Sequence, residues 1–357
     1  MSEFRIIRGG RLLDAAGRAA PLRDILIRDG AILEIGAPGL AAPDDAEVID
    51  AGRHLLHAGL VNGHTHGTGA LTRGYRDRFN LELLLLATPA RFANQSLEMK
   101  YLNTYLGAVE MAMKGCTLAF DLTFGLPVAS IEELEAMGQA YRDAGIRAVM
   151  APMLADTTFY RGIPGLVESL PDDLRALAKI DGAPATERVL ALMGEALKRW
   201  PHDRDHVKLG IAPTIPLVCS DELMLGCDRL AREHGTVIQS HIGEAKMQAV
   251  SAIEKYGKTM LARVDDLGVL APHFSIAHGI WLDDDDLRRV AEKGSSISHN
   301  AGSNMRLGSG IADARRMLEF GVNLAIGTDG AVSSDNQNMY EAMRSAGQVA
   351  AVRQPDH

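Results

Sequence analysis

The sequence predicts an α/β protein: a (β/α)8 TIM barrel over residues 59–357, preceded over residues 1–58 by part of a small β-sandwich-like domain. Three observations carry that prediction. After Gly59, short apolar segments alternate with amphipathic stretches, the texture of a parallel sheet with crossover helices. About 300 residues is a length that eight β/α repeats occupy. Six of the eight apolar segments carry histidine or aspartate at or next to their last residue, as expected of a barrel that collects reactive groups at the carboxyl ends of its strands. A doubly wound sheet is the competing fold, but no GxGxxG run opens a first helix.

The elements follow in chain order. FRIIRGGRLLD, DILIRDGAILEIG and EVIDAGRHLL, between residues 4 and 57, are short strands punctuated by Gly and Asp, and suit a small antiparallel sheet. The barrel strands are expected at 59–64, 116–121, 146–152, 207–213, 236–241, 274–279, 295–300 and 324–329. Between them EMKYLNTYLGAVEMAMKG, SIEELEAMGQAYRDAG, TERVLALMGEALKRW and DDDDLRRVAEKG carry apolar residues at helical spacing and end near glycine. Asp283 to Asp286 are carboxylates at a helix N-terminus, where the dipole favours them, rather than a metal site.

Composition narrows the function. Over 357 residues the formal net charge is -9, without the basic stripe of a nucleic-acid binder. Cys116, Cys219 and Cys227 form no CxxC pair, and are expected to be reduced, half-buried small residues. The opening residues lack the layout of a signal peptide, and the apolar run Leu81 to Ala87 is too short to cross a bilayer. A cytoplasmic protein that binds neither nucleic acid nor membrane is expected.

His64 and His66 stand two apart at the end of the first barrel strand, which puts both imidazoles on one face. His241 ends its own strand, with Glu244 three residues on, and Asp329 ends the last. Three imidazoles and a carboxylate leave room for a water on a bound metal, as a hydrolytic site requires. His54, His57, His202, His206, His234 and His273 have no matching partners and read as surface or packing residues.

GLVNGHTH, SHIGE, AHGIWL, SHNAGSNMRLGSG and GTDGAVSSD, in that order, resemble the amidohydrolase superfamily. The likeness is to its deaminase and chlorohydrolase branch, which includes adenosyl-compound, guanine and 8-oxoguanine deaminases and triazine hydrolases. It implies one divalent metal, zinc with iron or manganese as alternatives, on His64, His66, His241 and Asp329. A binuclear site would need a carboxylated lysine at the end of strand four, where the sequence reads GIAPT; Lys208 lies at the other end of that strand. In the implied reaction a metal-bound hydroxide attacks an amidine-like carbon of an N-heterocycle and ammonia leaves. Asp329 takes the water's proton, Glu244 protonates the adjacent ring nitrogen, His278 orients the attack, and Ser333 supports Asp329. His299 and Asn304 line or brace the pocket, and Asp121 is structural.

The resemblance also implies a small-molecule substrate, N-heterocyclic or amide-like, and a homodimer. Two departures from the family pattern stand out. Thr214 occupies a place where adenosyl-type deaminases usually carry a substrate-binding histidine, and loop residues Asp156, Phe159, Tyr160 and Arg161 are candidate contacts. Members of the family also continue past the position of His357 with a tail that completes the small sheet. The sequence is therefore expected to be part of a longer chain, with sheet edges exposed over residues 4–57. Amide, urea, carbamate or chloro-triazine hydrolysis on the same site is the alternative reaction, and a non-catalytic scaffold barrel a remote one.

Overall fold

A computed structural model describes residues 3–74, 78–92, 95–125, 129–178 and 184–354. It divides into two compact units, Met1–Gly59 and Leu60–His357.

In the first unit β1 (Phe4–Leu12) is flanked by β2 (Leu22–Arg28) and β4 (Glu47–Asp50), with β3 (Ala31–Gly36) outside β2 and the short β5 (Leu55–Leu56) also on β1. Asp29 and Gly30 both take positive φ, the two-residue turn whose twist suits a tight hairpin between β2 and β3. The expected antiparallel sheet is instead mixed, because β4 and β5 pair parallel to β1. The β2–β3 hairpin and residues 37–46 supply the crossover that a parallel return needs. Among the described residues of this unit the strands form one sheet, not a sandwich. Ile6, Ile25 and Leu26 are buried, whereas Ile32, Ile35 and Val48 are exposed.

The second unit is a TIM-barrel-type α/β fold. Its strands are β6 (Leu60–Thr65), β7 (Cys116–Thr123), β8 (Arg147–Leu154), β9 (Val207–Leu209), β10 (Ala212–Pro213), β11 (Ile238–Ile242), β12 (Phe274–His278), β13 (Ser296–His299) and β14 (Asn323–Ile326). The fourth expected strand is broken into β9 and β10 around Gly210. All pair in parallel, but the ladder forms two arcs, β6–β7–β8 with β9 and β10, and β11–β12–β13–β14, rather than one closed cylinder. An isolated bridge between Ile211 and Ile238 joins them on one side. On the other, the Asp329 amide donates to the His64 carbonyl at 2.9 Å. The last strand ends at Ile326, and Asp329, three residues on, takes left-handed backbone (φ 60°).

Two glycines make this seam possible. A Cβ on Gly63 would lie 2.8 Å from Ala325 Cβ, and one on Gly327 would lie 2.4 Å from Asn300 Oδ1. Only glycine lets the first and last strands approach so closely. Helices cover the strands as their apolar spacing predicts. Helix Ile131–Ala144 starts at a Ser130–Glu133 capping box and stops at left-handed Gly145, and helix Asp284–Glu292 starts at an Asp283–Asp286 box. Tyr141, Phe274, Met111, Leu134, Met137 and Met193 are fully buried between helices and strands. The cysteines are buried and free rather than half-exposed, and among the described residues no helix is long and apolar enough to cross a membrane.

Candidate active site

The period of two that places His64 and His66 on one face of β6 also leaves both rings buried. His241 is the penultimate residue of β11, and His278 ends β12 at φ 75°. Left-handed backbone at a non-glycine residue costs about 1–3 kcal/mol and concentrates at functional sites; His278 and Asp329 both adopt it. Ring centroids of His64 lie 4.9 Å from His66, 5.0 Å from His241 and 5.3 Å from His278. Asp329 Oδ1 stands 3.3 Å from His66 Nε2 and 3.6 Å from His64 Nε2, and His241 Nε2 is 3.3 Å from His66 Nε2.

The far side of each ring is anchored. His64 Nδ1 donates to Gln239 Oε1, His66 Nδ1 to the Leu122 carbonyl and His241 Nδ1 to the Thr214 carbonyl, each at 2.7 Å. Gln239 is itself oriented, since its amide donates to the Gly63 carbonyl and Ser275 Oγ. Burial pushes His66 down to about 4 and His241 well below the usual imidazole range. Neutral rings that donate through Nδ1 carry their lone pairs on Nε2, and here those atoms converge. His64 Nε2 and His278 Nε2 are buried without a hydrogen-bond partner among the described residues. Such anchored imidazoles beside one carboxylate are a donor set suited to a zinc-like divalent ion.

The two carboxyl groups are biased in opposite directions. Burial drives Glu244 well above the ordinary range, and the negative charge of Asp329 adds to that. Burial alone would raise Asp329 too, but the imidazoles of His64, His66 and His278 around it hold it well below. Ser303 Oγ donates to Asp329 Oδ2, and the Gly330 amide to Oδ1 at 2.6 Å. His278 Nδ1 donates to Asn304 Oδ1 at 2.8 Å, which leaves Nε2 3.5 Å from Glu244 Oε1.

Other expected contacts divide. Tyr160, Thr214 and Ser333 line a cavity of about 350 Å3 that also reaches His66, His241, Glu244 and Asp329. Ser333 Oγ donates to the Gly330 carbonyl, so the hydroxyl on Asp329 is that of Ser303. Asp156 is not among the lining residues; its oxygens accept from the Ser220 amide, Ser220 Oγ and Thr186 Oγ1. Asn304 braces His278. His299 is buried, with neither ring nitrogen partnered among the described residues, and burial pushes it down to about 4. Asp121 holds the Gly67 amide and the Tyr141 hydroxyl, each at 2.8 Å, and Lys208 Nζ donates to the Gly235 carbonyl.

Gln239, Ser303 and Gln337 were not foreseen from sequence. Gln337 donates to the Asp329 carbonyl and accepts from Thr65 Oγ1. Gln239 had a readable signal: a polar side chain within an apolar strand, two residues before His241 and so on its face. Ser303 had none, because its partner lies 26 residues away in a different β/α repeat.

Residues 55–354 match the amidohydrolase family, and the chain belongs to it. The 5-methylthioadenosine/S-adenosylhomocysteine deaminase of Thermococcus kodakarensis is 31% identical over 353 residues, covering 98% of this chain and 76% of the relative. The 5'-deoxyadenosine deaminase of Methanothermobacter thermautotrophicus is 30% identical over 358 residues, covering 99% and 76%. Among solved structures, an adenosine deaminase from Xanthomonas campestris with bound zinc superposes with a TM-score of 0.83 over 98% of this chain and 74% of its own. At 24% identity that likeness speaks to the fold.

Proposed function

We propose that this amidohydrolase is a metal-dependent aminohydrolase, which removes ammonia from an amino-substituted, amidine-like carbon of an N-heterocycle. The observation that carries the reading is geometric: His64, His66 and Asp329 converge within ligand distance of one another while Glu244 faces His278 at 3.5 Å in the same cavity, and the surroundings bias the two carboxyls in opposite directions. Titratable groups pushed apart in this way divide into an acid and a base. The deaminase activities named for the two relatives support the same reaction.

His64, His66 and His241, through Nε2, and Asp329, through Oδ1, would hold one divalent ion; the nitrogen-rich set favours zinc. When bound, the ion supplies Lewis acidity that makes water a usable nucleophile near neutral pH. Glu244 gives its proton to the ring nitrogen beside the attacked carbon, so that the carbon becomes electrophilic. Asp329 accepts a proton from the attacking water and returns it to the departing amino group. The C–N bond breaks and ammonia leaves. The proton still on the added oxygen passes to Glu244 and restores it, and a ring carbonyl remains beside the protonated ring nitrogen. His278 faces Glu244 and steadies both its proton and the tetrahedral carbon. We assign the enzyme to the cytoplasm, a compartment that keeps thiols such as Cys116, Cys219 and Cys227 reduced.

Ammonia release from amino-purines, pterins, pyrimidines and triazines, with metal content assayed in parallel, tests the proposal. Turnover by protein carrying one equivalent of metal supports it. A metal-loaded protein silent on every amino-heterocycle, yet active on amides, ureas, carbamates or chloro-triazines, overturns deamination in favour of hydrolysis at the same residues.

A further inference from the structure

Most of the cavity wall is built from apolar side chains. Leu81, Leu84 and Leu85 of helix Leu81–Phe92 line it together with Phe124, Phe159 and Val218. Among the described lining residues, Glu244 and Asp329 are the carboxylates, and no lysine or arginine is present. A phosphate or carboxylate on the substituent would find no cationic side chain among them.

Two of the lining hydroxyls are already engaged. Thr214 Oγ1 contacts Met153 Sδ at 3.2 Å, and Ser333 Oγ donates to the Gly330 carbonyl at 3.0 Å. Thr157, Thr158 and Tyr160 remain, within four consecutive residues of the chain. A sugar brings several hydroxyls, each a donor and an acceptor. Each one buried against leucine without a partner weakens binding by roughly tenfold.

We infer that the substrate is an amino-N-heterocycle carrying a neutral apolar substituent, alkyl or aryl, where a nucleoside would carry its sugar. The inference rests on the deaminase reading only for the end of the cavity at which the ring sits.

Binding of deaminated products isolates the substituent from the chemistry. Calorimetric titration of the metal-loaded protein would use two homologous series, 9-alkylhypoxanthines and N-alkylated hydroxytriazines, from methyl to butyl, with inosine and its 5'-phosphate alongside. Affinity is expected to rise about fourfold per methylene in at least one series, which corresponds to about 0.8 kcal/mol, and inosine to bind at least tenfold more weakly than the butyl compound. A flat or falling trend in both series, or inosine binding as tightly as the butyl compound, overturns the inference. Leu85→Gln and Phe159→Ser, checked for folding by circular dichroism, should flatten the trend; an unchanged slope in both overturns the assignment of this wall. Ammonia release from the matching amino compounds is scored separately. A rising series without ammonia removes the deaminase reading and keeps the apolar site, and the converse keeps the reaction and removes the site.

Discussion

Asp24 in the small sheet and the imidazole cluster in the barrel-type unit both bury strongly polar groups, but they treat them differently. Asp24 is almost wholly buried and accepts from four donors: the Gly9 and Gly39 amides and Arg8 Nη1 at 2.7–2.8 Å, and the Leu40 amide at 3.2 Å. Burial pushes its carboxyl up, yet those donors hold it at about 2. In the cluster, His64 and His278 each have one ring nitrogen anchored and the other unpartnered among the described residues. A buried charge with both oxygens satisfied holds a fold together. Anchored donors left convergent and unpaired are arranged for something that binds, since buried polar atoms otherwise find partners.

The comparison can be broken at several points. Asp329→Ala removes both a candidate ligand and the base, and should lower turnover on the order of 10³-fold or more while the metal is lost. Full metal retention by elemental analysis would take Asp329 out of the ligand set. Glu244→Gln should keep the metal and lower turnover by about 10²–10⁴-fold, as loss of a general acid does; a variant as active as the parent ends the acid role. Gln239→Leu and Ser303→Ala act through their neighbours, so metal affinity or activity should fall by about 10–100-fold. Competition with a chelator measures this, and unchanged affinity together with unchanged activity would mean that the anchors matter only for folding.

Asp24→Asn provides the contrast. It should destabilise the protein by about 1–3 kcal/mol and leave kcat and KM unaltered. The pH dependence has a definite sign. Because the folded carboxyl titrates at about 2 rather than at the model-peptide value near 3.9, its stabilisation is complete above about pH 4. It is lost as the pH falls through 2. Acid unfolding of the Asn variant should lack that component; identical acid curves would show that Asp24 contributes nothing through its charge.

Local chemistry made most of this legible in the sequence. The HxH pair obeys the two-residue period of a strand, SHIGE and GTDGA mark strand ends, and the Asp283–Asp286 run announces a helix start; each depends on neighbours in sequence. The mixed pairing of β4 and β5 was not legible, because strand direction depends on where a crossover returns. Nor was the division of the ladder into two arcs, which depends on how closely the strands meet across the two seams.

By itself, then, the sequence determined the family, the α/β architecture and the types of side chain placed at the strand ends, since periodicity and motif spacing are properties of the chain. Tertiary structure decided how those side chains act. It brought Gln239 to His64 across 175 residues and Ser303 to Asp329 across 26, gave Asp156 to Ser220 and Thr186 rather than to the cavity, and set Glu244 and Asp329 at opposite protonation preferences. It also assembled an apolar wall from a helix and several loops. Hydrogen bonds, desolvation and cavity walls depend on distances in space, and no reading of spacing along the chain contains them.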